Sequence, residues 1–206
     1  MKKLLATILA LMMALGLCTS AWATEGVWTG SGTEADPYVI TTETGLNKLA
    51  TDVNSGTVYS DTYFKLGASI TVTDWTPIGQ KGSDNKFAGT FDGNGHTVTL
   101  DITASTANVG LFSKLAGGAV VKNVITAGSI SGKVNNVGGI AGTADGNVTI
   151  ENCKNTASIK GGKGAGGILG YSEPGSGFVT ISSCANMGSV SGTRTVSYTH
   201  LRAHET

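Results

Sequence analysis

Apolar and polar residues alternate along most of this chain in short stretches, and glycine or asparagine ends each one. In Val148-Thr149-Ile150 the two apolar side chains fall on one face of an extended strand and Thr149 on the other. Ser158-Ile159-Lys160 inverts the pattern, with one apolar residue between two polar ones. A single segment follows a different rule. Leu46, Leu49, Ala50 and Val53 recur at helical spacing, Thr42 or Thr44 is placed to cap the start, and Gly56 is placed to end it. The pattern predicts one short amphipathic helix in an otherwise all-β chain.

The strand-like stretches repeat. Asn108-Val109-Gly110-Leu111-Phe112 returns as Asn136-Val137-Gly138-Gly139-Ile140 and again as Gly164-Ala165-Gly166-Gly167-Ile168, with a step of 28 residues from Val109 to Val137 to Ala165. A second block, Asn123 to Gly132, returns at Asn152 to Gly161 and at Ser183 to Gly192, with steps of 29 and 31. The extra length falls in the loop around Ser172 to Gly177, where an insertion costs little. A fixed period in this range signals a solenoid. Each unit reads as about three short strands with no helix between them, so one unit cannot bury its own apolar face and needs its neighbours. The expected fold is therefore a right-handed parallel β-helix with a short N-terminal capping helix, the hand following from the rule for parallel connections. Val109, Val137 and Ala165 should form one stacked column, and Ile130, Ile159 and Val190 another. Asn123, Asn152 and Asn155 are placed at corners, because asparagine tolerates a left-handed backbone, and stacked copies can form a hydrogen-bonded ladder.

The Gly-Leu-Phe and Gly-Gly-Ile-x-Gly units resemble GLUG motifs of bacterial surface proteins and of the N-terminal parts of immunoglobulin A1 protease-type metallopeptidases. Phe87 to Val98 and Trp75-Thr76-Pro77-Ile78-Gly79 are similar to segments that precede the first such unit, and Gly30 to Ile40 resembles the opening of such domains. The likeness runs from about Gly26 to Gly192. It implies extracellular display on a bacterium and attaches no enzyme activity to the repeats.

Composition agrees with strands and turns: 31 glycines, 3 prolines, 14% charged residues and a net charge of zero. The absence of a basic patch argues against nucleic acid as a partner. Lys2 and Lys3, the apolar run from Leu4 to Leu17, and Ala21-Trp22-Ala23 together read as a signal peptide over residues 1–23, cleaved after Ala23. No membrane span is expected once it is removed. The remaining organisation is a lead-in strand and capping helix over 24–57, the β-helix over 58–192 and a tail over 193–206. The last eleven residues, Val196 to Thr206, match a translated transposase-type sequencing adapter. They are expected to be non-native, with the natural chain continuing past Thr195. His200, His204 and Glu205 imitate a zinc-site spacing inside that segment and carry no expected role.

Candidate chemistry is sparse. Asp84, Asp92, Asp101, Asp145 and Glu151 are the carboxylates a β-helical lyase or hydrolase would need, but nothing in the repeat forces any two together. Asp92-Gly93-Asn94-Gly95 reads as a tight turn, Asp145 as a turn residue before Gly146, and Asp101 and Glu151 as outward-facing. His96 follows a turn. Cys153 and Cys184 share the position Val124 holds one unit earlier, which favours two buried thiols. No catalytic, cofactor or metal residue is expected. The chain reads as a secreted or surface-displayed repeat module for adhesion, ligand binding or spacing. Host or envelope glycans or surface proteins are its expected partners, and the exposed last coil is a route to self-association. Two alternatives remain: the non-catalytic front of a larger secreted protease, or a β-helical polysaccharide lyase or hydrolase. Replacing Ile159 by Asp would set an unpaired charge in the shared core. Denaturant unfolding should record a loss of at least about 4 kcal/mol or failure to fold.

Overall fold

The computed structural model describes residues 27–80, 85–173 and 177–196. The signal segment, Asp84, His200, His204 and Glu205 lie outside the described residues. β1 (Tyr38–Ile40) leads into helix α1 (Glu43–Asn54). β2 (Tyr63–Leu66), β3 (Ile70–Thr71), β4 (Thr90–Asp92), β5 (Thr97–Thr103) and β6 (Phe112–Leu115) follow. β7 (Val120–Lys122), β8 (Ile125–Ser131), β9 (Val137–Gly138) and β10 (Ala141–Ala144) make one complete coil. β11 (Val148–Glu151), β12 (Lys154–Asn155), β13 (Ser158–Lys160), β14 (Lys163–Gly166) and β15 (Leu169–Ser172) make the next. β16 (Val179–Ser182), β17 (Ala185–Asn186), β18 (Val190–Ser191) and β19 (Arg194–Val196) close the described chain.

Strands from successive coils pair in parallel. They build sheet A (β1-β2-β4-β7-β11-β16), sheet B (β3, β5, β8, β12 with β13, β17 with β18), sheet C (β6-β10-β15) and sheet D (β9-β14-β19). The result is a parallel β-solenoid of about five turns. Val109 pairs with Val137 and Val137 with Ala165; Ile130 pairs with Ile159 and Ile159 with Val190. Both expected columns are present. Three details differ from the sequence reading. A coil has four strand segments rather than three, because Val137–Gly138 and its counterparts form a short fourth sheet. β1, assigned to a lead-in, is the first strand of sheet A and pairs in register with β2. At the other end sheet D runs on to Val196, past Gly192.

Helix α1 begins where expected: the Thr42 side chain accepts the Gly45 N–H at 3.1 Å. Leu46, Leu49, Ala50 and Val53 are fully or almost fully buried and join the solenoid core, and Gly56 follows with φ +106°. Trp28 donates from Nε1 to the Gly45 carbonyl at 2.8 Å and packs edge-on to Phe64 at 5.2 Å. The helix and this aromatic group thus cover the N-terminal end, where strand edges and core would otherwise be open. Inside, in-register apolar residues stack from coil to coil, as in Phe64, Phe91, Val121, Ile150 and Ile181 along sheet A. Each such side chain contributes about 1.5–3 kcal/mol by burial, and only because the next coil supplies the opposing surface.

One polar column runs through this interior. Asn155, read from sequence as a corner residue, instead points inward from the break between β12 and β13 and is fully buried. Its Oδ1 accepts from Thr126 Oγ1 at 3.0 Å and from the Ala157 N–H at 3.1 Å. Its Nδ2 donates to the Ala157 carbonyl at 3.0 Å and to Asn186 Oδ1 at 2.7 Å. All four bonds of the amide are made, which is the condition for burying it. The bond pair to Ala157 also serves the backbone where the strand breaks, and Asn186 repeats it by donating to Gly188 O at 2.9 Å.

This column explains the doubled glycine. Between the Val109–Val137 and Phe112–Ala141 pairings, one coil holds Gly110-Leu111 and the next holds Gly138-Gly139-Ile140. A Cβ on Gly139 would lie 2.4 Å from the Gly167 carbonyl oxygen and 2.5 Å from Asn155 Oδ1, and one on Gly167 would lie 2.3 Å from Asn186 Cγ. The inserted glycine makes room for the asparagine of the following coil. Where that coil carries Thr126, the extra glycine is absent. Gly139→Ala is expected to destabilise by roughly 2–3 kcal/mol, through overpacking against the Gly167 carbonyl of the next coil and the buried, hydrogen-bonded Asn155 amide. In chemical denaturation, the double variant with Asn155→Thr should recover part of that loss, a coupling two independent sites would lack.

Candidate functional site

The most extended polar feature on the outside is the corner between sheets A and B. Asn94, Asn123, Asn152 and Ser183 hold left-handed backbone there, with φ of +50°, +54°, +51° and +50°. Short polar residues adopt that conformation at low cost and keep their side chains beside the corner. Asn152 donates from Nδ2 to Asn123 Oδ1 at 2.6 Å, and Asn123 donates to Asp92 Oδ1 at 2.9 Å. Asp92 Oδ1 also accepts the Asn94 N–H at 2.7 Å, and Asn94 reaches Leu66 O at 3.3 Å. The ladder expected for Asn123 and Asn152 therefore exists, ends on a carboxylate, and includes the Asp92–Gly95 turn. A groove of about 390 Å³ runs along it, lined by Asn94, Gly95, Asn123, Ile125, Asn152 and Lys154.

A second ladder was not foreseen. Asn136 donates to Asn108 Oδ1 at 2.8 Å, Thr143 Oγ1 donates to the same oxygen at 2.8 Å, and both asparagines have positive φ. The repeat of Asn108 and Asn136 ahead of the glycines was the available signal. Beside this ladder, Lys86, Lys114, Asp145 and Glu173 line a hollow of about 210 Å³. Asp145 does more than turn the chain: its carboxylate forms a short ion pair with Lys86 from an earlier coil. The hollow thus brings together two lysines and two carboxylates, an arrangement in which the charges serve each other.

The other carboxylates stay apart from it. Asp101 is exposed and accepts from Ser129 Oγ at 2.7 Å, and Glu151 lies part-exposed at the end of β11 beside buried Ile150. His96 sits at the A–B corner, its N–H donating to Gly93 O at 2.8 Å. Among the described residues no three His, Cys, Asp or Glu side chains gather as a metal site would need. No described helix is long and apolar enough to cross a membrane.

Cys153 and Cys184 are free, buried and adjacent, with the Cys153 N–H donating to Cys184 Sγ at 3.4 Å. Hydrogen bonding to Cys184 and then burial push the Cys153 thiol far above its usual range, while bonding to Cys153 draws Cys184 down. The shared bond acts in opposite directions on the two sulfurs, whereas burial disfavours the thiolate at both. The last coil is the most exposed. Phe178 is 85% and Met187 69% accessible, whereas Cys184 on the same coil is only 4% accessible.

No protein-family model matches the chain. A stretch of halomucin from Haloquadratum walsbyi is 35% identical over 160 residues, which is 71% of this chain and 2% of halomucin. The chain therefore spans a very small part of that relative's length. In fold it is similar to a crystal structure from Bacteroides ovatus of a protein proposed to be an immunoglobulin A1 protease, with TM-score 0.53 and 23% identity. That similarity covers 80% of this chain and 61% of the other. At that identity the likeness is one of fold.

The thiol pair yields a pH prediction. A thiol pKa raised by folding contributes stability that is whole below the unfolded value, about 8.5, and is lost as pH rises toward the folded value. Cys153→Val with Cys184→Val, which copies Val124 at both positions and removes both thiols, should flatten the decline of melting temperature above that pH and leave neutral-pH melting within a few degrees. A decline of the same steepness in the variant would assign it to other groups.

Proposed function

We propose that this chain is part of a longer bacterial protein that is exported and displayed at the cell surface, where it acts as a non-catalytic module for adhesion, ligand binding or spacing. The observation that carries this reading is the pairing of a stacked-coil core with exposed polar ladders on the corners. A solenoid of this kind offers a long, weakly charged surface on which many shallow contacts can add. The identity to a short stretch of halomucin supports it, since a protein named as a mucin suits the outside of a cell. The GLUG-like units support it as well. The carboxylates do not argue for hydrolysis: Asp92 is tied into a turn and ladder, Asp145 is ion-paired, and Asp101 is bonded to Ser129. Self-association belongs to the same proposal. Phe178 and Met187, both exposed on the last coil, and a groove of mixed character of about 440 Å³ lined by Leu169, Tyr171, Ser172, Phe178, Val179 and Ile181 offer the surface for it. A second reading, a place ahead of a protease domain, draws on the fold likeness alone.

Expression of the complete gene in a Gram-negative host tests the proposal. The mature N-terminus should be Thr24 by mass spectrometry, and trypsin added to intact cells should cleave the protein. Retention inside the cell with the N-terminal segment intact would overturn it. Purified protein should release no sugar from polysaccharides; sustained release would favour the lyase or hydrolase alternative.

A further inference from the structure

We propose that the groove along the A–B corner binds a linear, neutral polysaccharide, an inference that rests on the surface-module reading above and adds a ligand to it. Three observations lead there. First, the groove crosses successive coils and offers the same group at each, so its donors and acceptors repeat with the strand spacing of about 4.8 Å. Second, the amides are held in place but not used up. Asn123 gives one N–H to Asp92 and takes one from Asn152, and Asn152 gives one N–H to Asn123. A primary amide has two N–H donors and two acceptor positions on oxygen, so a second donor and acceptor remain at Asn123. The ladder bonds orient those groups before any ligand arrives, which lowers the ordering cost of binding. Third, the groove is lined mainly by neutral polar groups. Lys65, Asp92, Lys122 and Glu151 alternate in sign in register along sheet A beside it, and Lys154 is the one charged residue among those that line it. Alternating charges leave no strong field of one sign to select a polyanion or a polycation.

A ligand for this surface must carry many hydroxyls, present an apolar face to the half-buried Ile125 side chain, and repeat along its length. A sugar chain has all three properties. Gly95 leaves the groove open at its upper end, since even an added Cβ there would meet nothing within 4 Å. Each contact is shallow, so affinity should rise with chain length.

The test is affinity electrophoresis of the mature chain in native gels cast with a soluble β-glucan, an α-glucan, a mannan, the polyanion hyaluronate, or no polymer. At least one neutral polymer should retard the protein, and oligomers of that polymer should compete better as they lengthen. The double variant Asn123→Gly, Asn152→Gly keeps residues that accept left-handed backbone and removes the amides; retardation should fall at least tenfold. Ile125→Asp, on the outer face, should abolish it. Circular dichroism and melting establish that each variant is folded, and exposed Lys163→Ala on sheet D should bind as the parent does. The proposal is overturned if no neutral polymer retards the chain, if hyaluronate alone does, or if both groove variants bind unchanged. Such a result beside surface accessibility on intact cells would remove the ligand and leave display standing.

Discussion

Contact between one coil and the next is what holds this molecule together. A single coil has apolar side chains but no opposing sheet within itself; Ile159 is covered because Ile130 and Val190 lie in register above and below it. The same neighbours complete the backbone bonds, as when Asn152 N–H donates to Ser182 O and Thr149 N–H to Ala119 O. Burial and hydrogen bonding therefore depend on one geometric condition, that residue n meets its counterpart one coil away. The positive-φ corners, the short strands and the inserted glycines are ways of meeting that condition with coils of unequal length.

That dependence also decides what could be read from the residues alone. The period was visible because each buried column needs an apolar residue in every coil, so Val109, Val137 and Ala165 announce one another. The helix was visible because its apolar stripe and its Thr42 cap are local. Asn155 misled because its type suits a corner as well as a buried ladder; only the spatial neighbours Thr126, Asn186 and Gly139 separate the two. The second glycine of Gly138-Gly139 looked like part of a motif, while its physical reason sits in the following coil. The Lys86–Asp145 pair joins residues from different coils outside the regular alignment, so no spacing rule points to it.

The candidate site was partly legible for the same reason. Asn123 and Asn152 repeat at the period and could be read as a ladder. Its termination on Asp92 and the part-exposed Ile125 beside it depend on a corner where four residues lie between Asp92 and Thr97 and only two between their partners Lys122 and Ile125. Inside and outside, the solenoid uses asparagine columns differently. The buried column satisfies every polar atom and can serve only the fold, whereas the corner column leaves capacity facing water.

The helix at the N-terminal end has a consequence for how such an array can be built. It occupies the place a preceding coil would take, so the solenoid presents a template surface in one direction only. Among the described residues, the strand edges left open to pair with another chain lie at the far end, on β16, β17, β18 and β19, so any array built by stacking copies has a polarity.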